Sequence, residues 1–289
     1  MMLTKKDITV KNIIQCSADA ERCSAERYLF IEDFIFGEID FQKPIADIKN
    51  EINLRYNELC ALRKSERNAI TSRELIGEKL FVCRKLMDLS QEVLADINVA
   101  IPKAPKRARI SYWYSNRFAK EAYHSFESLF DYCEESLMDS IGDVCESIGE
   151  LTPFGIVPIT NSSDGRLLTF YRMIDKYDLK ILSVCKIESP DTDSFTKFAL
   201  VGKNVLDFDF PCVKKLEFTS IGQIFDLVSA IDLLGGKLGE ITSIPSPYSE
   251  TEFNNYLTVE LGEAQMKVFS LYNYLFIDDV DVIGFYSEI

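Results

Sequence analysis

The chain has 289 residues, 47% hydrophobic and 27% charged, the profile of a globular protein of two or three compact parts. Thirty-two Lys and Arg against forty-six Asp and Glu leave a net charge of −14, which repels phosphate backbones and argues against a nucleic-acid partner. No apolar run approaches the roughly 20 residues of a membrane span, and the opening MMLTKKDITVKNIIQC lacks the apolar stretch of a signal peptide, so no membrane association and a cytoplasmic location are expected.

The eight cysteines (Cys16, Cys23, Cys60, Cys83, Cys133, Cys145, Cys185 and Cys212) contain no C-x-x-C pair, and His124 is the only histidine. Zinc needs convergent, closely spaced ligands, so no metal site is expected. The cysteines read as small buried hydrophobes and His124 as a surface or packed residue rather than a catalytic one.

Residues 1–44 are the least periodic and read as an N-terminal extension. Over 45–101 the pattern sharpens. Ile45, Ile48, Ile52, Leu59 and Leu62 lie at helical spacing, while Ile76, Leu80, Cys83, Met87, Ser90, Leu94 and Ile97 alternate in steps of 4 and 3. The second set is an a/d heptad and asks for a partner helix, within a hairpin joined near Thr71 to Arg73 or across a dimer. Ile101 to Arg109, with two prolines and four basic residues, reads as a linker.

Over 108–205 the texture is α/β. Strands are predicted at Ile110–Tyr114, Phe154–Ile159, Leu179–Ile187 and Lys197–Gly202, with helices over Phe118–Leu137 and around Leu167–Ile174. Strands alternating with helices imply a mostly parallel sheet. Residues 213–289 then follow the order βαββαβ, the ferredoxin-like split motif. Alternation at Leu216 and Phe218, a helical stripe Ile224–Ile231 closed by Gly235-Gly236, and a second stripe Val268–Leu275 mark it.

One segment invites chemistry. In Thr160-Asn161-Ser162-Ser163-Asp164-Gly165 a strand runs toward a helix, and Ser162 or Ser163 is placed to cap that helix. The free N–H groups and dipole there suit a carboxylate or phosphate, with Asn161 as an added donor. A plain helix cap is the competing interpretation.

These residues carry a resemblance. Val157-Pro158-Ile159-Thr160-Asn161-Ser162 is similar to the V-P-I-E-N-S segment of prephenate dehydratases, and Thr196-Lys197-Phe198 resembles that family's T-R-F motif. The final part resembles an ACT domain, with Gly222-Gln223-Ile224-Phe225 matching G-A-L and Ile241-Thr242-Ser243-Ile244-Pro245 lying where E-S-R-P would be. The 45–101 helices resemble the chorismate mutase half of the bifunctional P-protein.

The resemblance implies a fold of α/β and α+β parts: an N-terminal helical hairpin, a reduced dehydratase-like α/β lobe and a C-terminal ferredoxin-like, ACT-like domain. It implies Thr196 as the catalytic group converting prephenate to phenylpyruvate, water and CO2. Asn161, Ser162, Ser163, Lys197 and Phe198 would bind substrate, and Gly222, Gln223, Ile224 and Ser243 an aromatic amino acid effector. No cofactor is implied, and a homodimer is.

The departures bear on function. Thr160 replaces the family's Glu and Lys197 its Arg, and an ammonium cannot reproduce the guanidinium fork. Only Glu188 to Phe195 stand where dehydratases carry most of a second lobe. In the mutase-like part Glu66 would repel a dianion and Leu94 stands in place of a glutamine, so mutase activity is not expected. The alternative function is a non-catalytic amino-acid sensor or regulatory partner of an active family member.

Overall fold

The computed structural model describes residues 20–65, 71–89, 102–190, 192–208, 215–221, 224–245, 253–277 and 280–289. Ser90, Leu94, Ile97 and Glu66 of the mutase-like part, and Gly222 and Gln223 of the effector set, lie outside them. The described residues form two compact units, one helical and one built on a sheet.

The helical unit comprises α1 (Ala20–Phe36), α2 (Ile45–Ser65), α3 (Ser72–Leu89), α7 (Ile224–Leu233) and α8 (Glu263–Phe276). Helix α1 falls within the stretch expected to be an aperiodic extension. Phe30, Ile31, Phe34, Ile35 and Phe36 are all buried, because α1 packs against both α2 and α3. A helix covered on two sides needs no single apolar stripe, which hides it in the sequence. Helix α3 begins with a capping box: the Thr71 N–H donates to Glu74 Oε2 at 2.9 Å and the Glu74 N–H to Thr71 Oγ1 at 3.2 Å. Its heptad residues Ile76, Leu80 and Cys83 are buried, and α3 packs on α1 and α8. The described part of the stripe therefore packs within the chain.

In α2 the expected stripe is displaced by one residue at its end. Leu62 is exposed, and Arg63 takes the buried position. Arg63 clasps the buried Glu78 of α3 through both terminal nitrogens, at 2.5 and 3.0 Å. The Arg27 Nε of α1 donates to the same carboxylate at 2.6 Å, and the Tyr56 hydroxyl lies 3.4 Å from it. Burial, then the Glu78 charge, raises the Tyr56 phenol well above its ordinary value.

The sheet unit contains β1 (Arg107–Trp113), α4 (Arg117–Glu127), β2 (Tyr132–Met138), α5 (Ile141–Ser147), β3 (Phe154–Asn161), β4 (Gly165–Arg166), α6 (Leu168–Tyr177), β5 (Lys180–Glu188) and β6 (Phe195–Gly202). Strands β7 (Lys215–Ile221), β8 (Lys237–Pro245), β9 (Phe253–Glu260) and β10 (Val280–Glu288) complete it. All ten strands form one sheet in the order β2-β1-β3-β6-β5-β10-β7-β9-β8, with β4 paired to β3.

Three expectations are corrected here. The sheet is not mostly parallel: β1 runs parallel to β2 and β3, and β5 to β10, but every other pairing is antiparallel. Strand β6 returns from β5 through a short turn with no crossover helix, and so runs antiparallel to both β5 and β3. The Phe118–Leu137 helix stops at Glu127, and its second half is β2, an edge strand too exposed to alternate cleanly. The basic linker is strand from Arg107 onward, because Arg107 and Arg109 point outward while Ala108 and Ile110 are buried.

The last four strands stand in the order β10-β7-β9-β8, that is 4-1-3-2 within the βαββαβ motif, as its ferredoxin-like pattern predicts. Two cores sandwich the first part of the sheet. Helix α4 packs Ala122, Tyr123 and Phe126 on one side with Ile110, Ile156 and Phe198, whereas α5 and α6 pack Val144, Phe170 and Ile174 on the other with Val157, Ala199 and Val201. Gly155 makes the second layer possible: a Cβ there would lie 2.8 Å from Val144 and Ile148 side chains. The fold is mixed α/β throughout.

Candidate functional site

Strand β3 carries Pro158 in its interior. Proline has no N–H to donate, and the register between β3 and β6 shifts between Pro158 and Thr160. Beyond the shift, Thr160 stands opposite Lys197 and Asn161 directly opposite Thr196. The two segments singled out by the resemblance therefore meet across one pair of antiparallel strands. Two further bonds close the end: the Ser162 N–H donates to the Phe195 carbonyl at 2.9 Å, and Ser162 Oγ accepts the Phe195 N–H at 3.1 Å.

The segment after Asn161 is a hairpin turn and not a helix start. Asn161 Oδ1 accepts the N–H groups of Ser163 and Asp164 at 3.0 and 2.5 Å, and its Nδ2 donates to Asp164 Oδ2 at 2.9 Å. Gly165, at φ +69°, turns the chain into β4, where Arg166 pairs with Thr160. Helix α6 begins only at Leu168, its N-cap is Leu167, and no side chain caps it. Ser162 and Ser163 therefore do not cap a helix. The N–H groups expected to cup an anion are answered by the Asn161 carboxamide itself, as Asx turns do.

Thr196 and Asn161 are half-buried, and Ser162 and Ser163 exposed. Lys197 Nζ pairs with Glu288 Oε1 at 3.0 Å. Phe198 is 1% exposed and belongs to the α4-side core. Of the effector set, Ile224 is the first residue of α7, and Ser243 of β8 donates its hydroxyl to Asn255 Oδ1 at 2.7 Å.

Strand β5 ends at Glu188 and β6 begins at Phe195, and the Ser189 N–H donates to the Ser194 carbonyl at 2.8 Å to close the turn. A turn this short leaves no length for an inserted second lobe. An open cavity of about 500 Å³ lies against it, lined by Lys186, Glu188 and Phe195 among others. Thr196 begins where that lining ends.

Arg166 is a residue that sequence reasoning passes over. Its side chain is 10% exposed; Nε bonds Glu240 Oε2 of β8 at 2.7 Å, and Nη2 donates to Thr258 Oγ1 of β9 at 2.7 Å. Its guanidinium also lies 5.6 Å from the centre of the Tyr171 ring. Nearby, the Tyr171 and Tyr256 rings meet at a tilt of 37° with centroids 4.1 Å apart, and the Tyr256 hydroxyl donates to Asp175 at 2.6 Å. The Gly165-Arg166 pair after four turn-forming residues is the available signal for a short return strand.

Elsewhere, His124 is exposed beside Glu127, and no cluster of three His, Cys, Asp or Glu side chains suits a metal among the described residues. No described helix is long and apolar enough to cross a membrane.

No protein-family model matches the chain, and no curated protein matches its sequence at a significant level. Solved structures do match. A prephenate dehydratase from Streptococcus mutans aligns at a TM-score of 0.53 and 16% identity over 63% of this chain and 98% of its own. A prephenate dehydratase from Arthrobacter aurescens, in complex with L-Phe, aligns at 0.50 and 11% identity over 62% and 89%. GqqA, described as a novel type of quorum quenching acylase, aligns at 0.48 and 10% identity, a likeness too shallow to bear on function. The chain shares its fold with prephenate dehydratases, at identities that establish fold alone.

Proposed function

We propose that the Asn161–Thr196 end of the sheet is a dehydratase-type site for prephenate, in a chain of L-phenylalanine biosynthesis. Residues 108–205 form its dehydratase-like part and residues 213–289 an ACT-like, amino-acid-responsive part. The observation that carries this is the direct pairing of Asn161 with Thr196 within a dehydratase-like sheet. In the reaction the ring carboxylate leaves as CO2, its bonding electrons aromatise the ring, and the hydroxyl takes up one proton, drawn from solvent, and departs as water. Thr196 hydrogen-bonds that hydroxyl as it leaves, while Asn161, Ser162 and the Lys197 ammonium favour the substrate's remaining carboxylate. A threonine hydroxyl is a weak proton donor in water, so a site without a second lobe turns over slowly.

Purified protein given prephenate should form phenylpyruvate above the spontaneous background, and Thr196→Val should lower the enzymatic rate by about 100-fold or more. A wild-type rate equal to background rejects catalysis.

The direct β5–β6 turn favours a second reading, a sensor or regulatory partner that has kept the ACT-like part and lost the chemistry. L-Phenylalanine binding the folded state raises the melting temperature by mass action, as the complex of the Arthrobacter dehydratase with L-Phe encourages. Stabilisation by phenylalanine without turnover selects this reading, and a flat response removes it.

A further inference from the structure

Strand β2 is the outermost described strand on its side of the sheet and pairs with β1 over seven consecutive positions without a bulge. Its bonding pattern follows from its two ends. The Tyr132 N–H donates to the Lys106 carbonyl at 3.2 Å, and the Met138 carbonyl accepts the Tyr114 N–H at 3.1 Å. In a parallel pair alternate residues bond the neighbour. Tyr132, Glu134, Ser136 and Met138 therefore face β1, and Cys133, Glu135 and Leu137 turn their N–H and C=O groups outward. The side chains of the same three residues share the α4 face, since they stand opposite Ala108, Ile110 and Tyr112 of the core under that helix. An open cavity of about 510 Å³ lies on that face, lined by Lys120, Tyr123, His124 and Glu135 among others. The buried Tyr112 and Tyr123 rings meet with centroids 5.4 Å apart, and the Tyr112 hydroxyl donates to Glu135 Oε2 at 2.7 Å, which fixes the carboxylate. Proline, glycine and lysine, the usual guards of a sheet edge, are all missing from β2.

We propose that the outer edge of β2 receives an extended peptide of a partner protein as an added antiparallel strand, with a basic side chain opposite Glu135 and apolar side chains opposite Cys133 and Leu137. The outward backbone groups supply affinity and Glu135 supplies selection. Charge favours this occupant: the chain carries −14 overall, and Glu135 is exposed with its hydrogen bond coming from a neutral phenol. A second copy of the chain fits poorly. Two-fold antiparallel pairing centred on Cys133, Glu135 or Leu137 sets Glu135 opposite Asp131, Glu135 or Asp139, acid against acid in each register.

The capped, dye-labelled peptide Thr-Val-Thr-Lys-Thr-Val-Thr tests this on the full chain by fluorescence anisotropy. It should bind saturably, and exchanging its lysine for glutamate should weaken binding about tenfold. N-methylation of its valine and lysine nitrogens, which would face β2, should abolish binding, whereas N-methylation of the threonines between them should not. Glu135→Gln should shrink the difference between the lysine and glutamate peptides; the side chain is exposed, so an unchanged melting temperature certifies the fold. In hydrogen exchange the peptide should slow the amides of Cys133, Glu135 and Leu137 and leave those of β8, at the other end of the sheet, as they were. No binding at about 1 mM peptide, indifference to the peptide's charge or to the position of N-methylation, or protection of β8 instead overturns the proposal. A chain that sediments as a dimer with the Glu135 amide already protected assigns the edge to a second copy and also overturns it.

Discussion

In the helical unit the buried carboxylate of Glu78 is answered by two guanidiniums and a phenol. In the sheet unit Ser147 Oγ lies 3.0 Å from Ser111 Oγ and 3.2 Å from Thr152 Oγ1, three buried neutral hydroxyls closing on one another. Each cluster satisfies buried polarity, but the first concentrates charge where water is excluded and the second does not. The contrast bears on where a small anion can be received. Two arginines of the helical unit, Arg27 and Arg63, are committed to Glu78. The sheet unit instead leaves a hydroxyl and an amide half-exposed at the end of a strand pair.

Glu78→Gln should expose the contrast most forcefully. Removing one member of a buried charge cluster costs about 3–5 kcal/mol, read from denaturant midpoints, because Arg63 stays buried and unanswered. Replacing Glu78 and Arg63 together by Met should recover much of that loss.

Alkali comes next and reaches both units. Burial pushes the Cys145 thiol up to about 11 and the Cys185 thiol to about 12, and raises Cys83 further. Thiols whose folded values are raised contribute stability that is complete below their unfolded value of about 8.5 and is lost as pH rises through the folded value. Denaturation midpoints should therefore fall from about pH 9 toward pH 11–12, each thiol losing roughly 1.4 kcal/mol for every pH unit between its unfolded and folded values.

Ser147→Ala should be the mildest, about 1–3 kcal/mol, because it leaves neutral hydroxyls short of one partner. If it costs as much as Glu78→Gln, the distinction between charged and neutral clusters fails.

The βαββαβ part is legible in the sequence because its strands alternate, its helices carry stripes, and Gly235 ends one of them at φ +71°. Helix α1 is not, since its buried residues spread over two sides while the apolar Leu29 is exposed. Asn161-Ser162-Ser163-Asp164 misleads for a chemical reason: the side chains that cap helices also close turns, and Asn161 commits its oxygen to its own backbone. Only Gly165 and the pairing of Arg166 with Thr160 separate the two outcomes. Thr196 can be set beside Asn161 from a family resemblance alone, because no local periodicity relates residues 35 positions apart.

The placement of β10 bears on biosynthesis. It follows every other described strand yet sits between β5 and β7, pairing parallel to one and antiparallel to the other. A ribosome must release all nine earlier strands before this one arrives to join them. Until then β5 and β7 present open edges, so nascent chains stalled short of Val280 should be the form that chaperones capture and that aggregates.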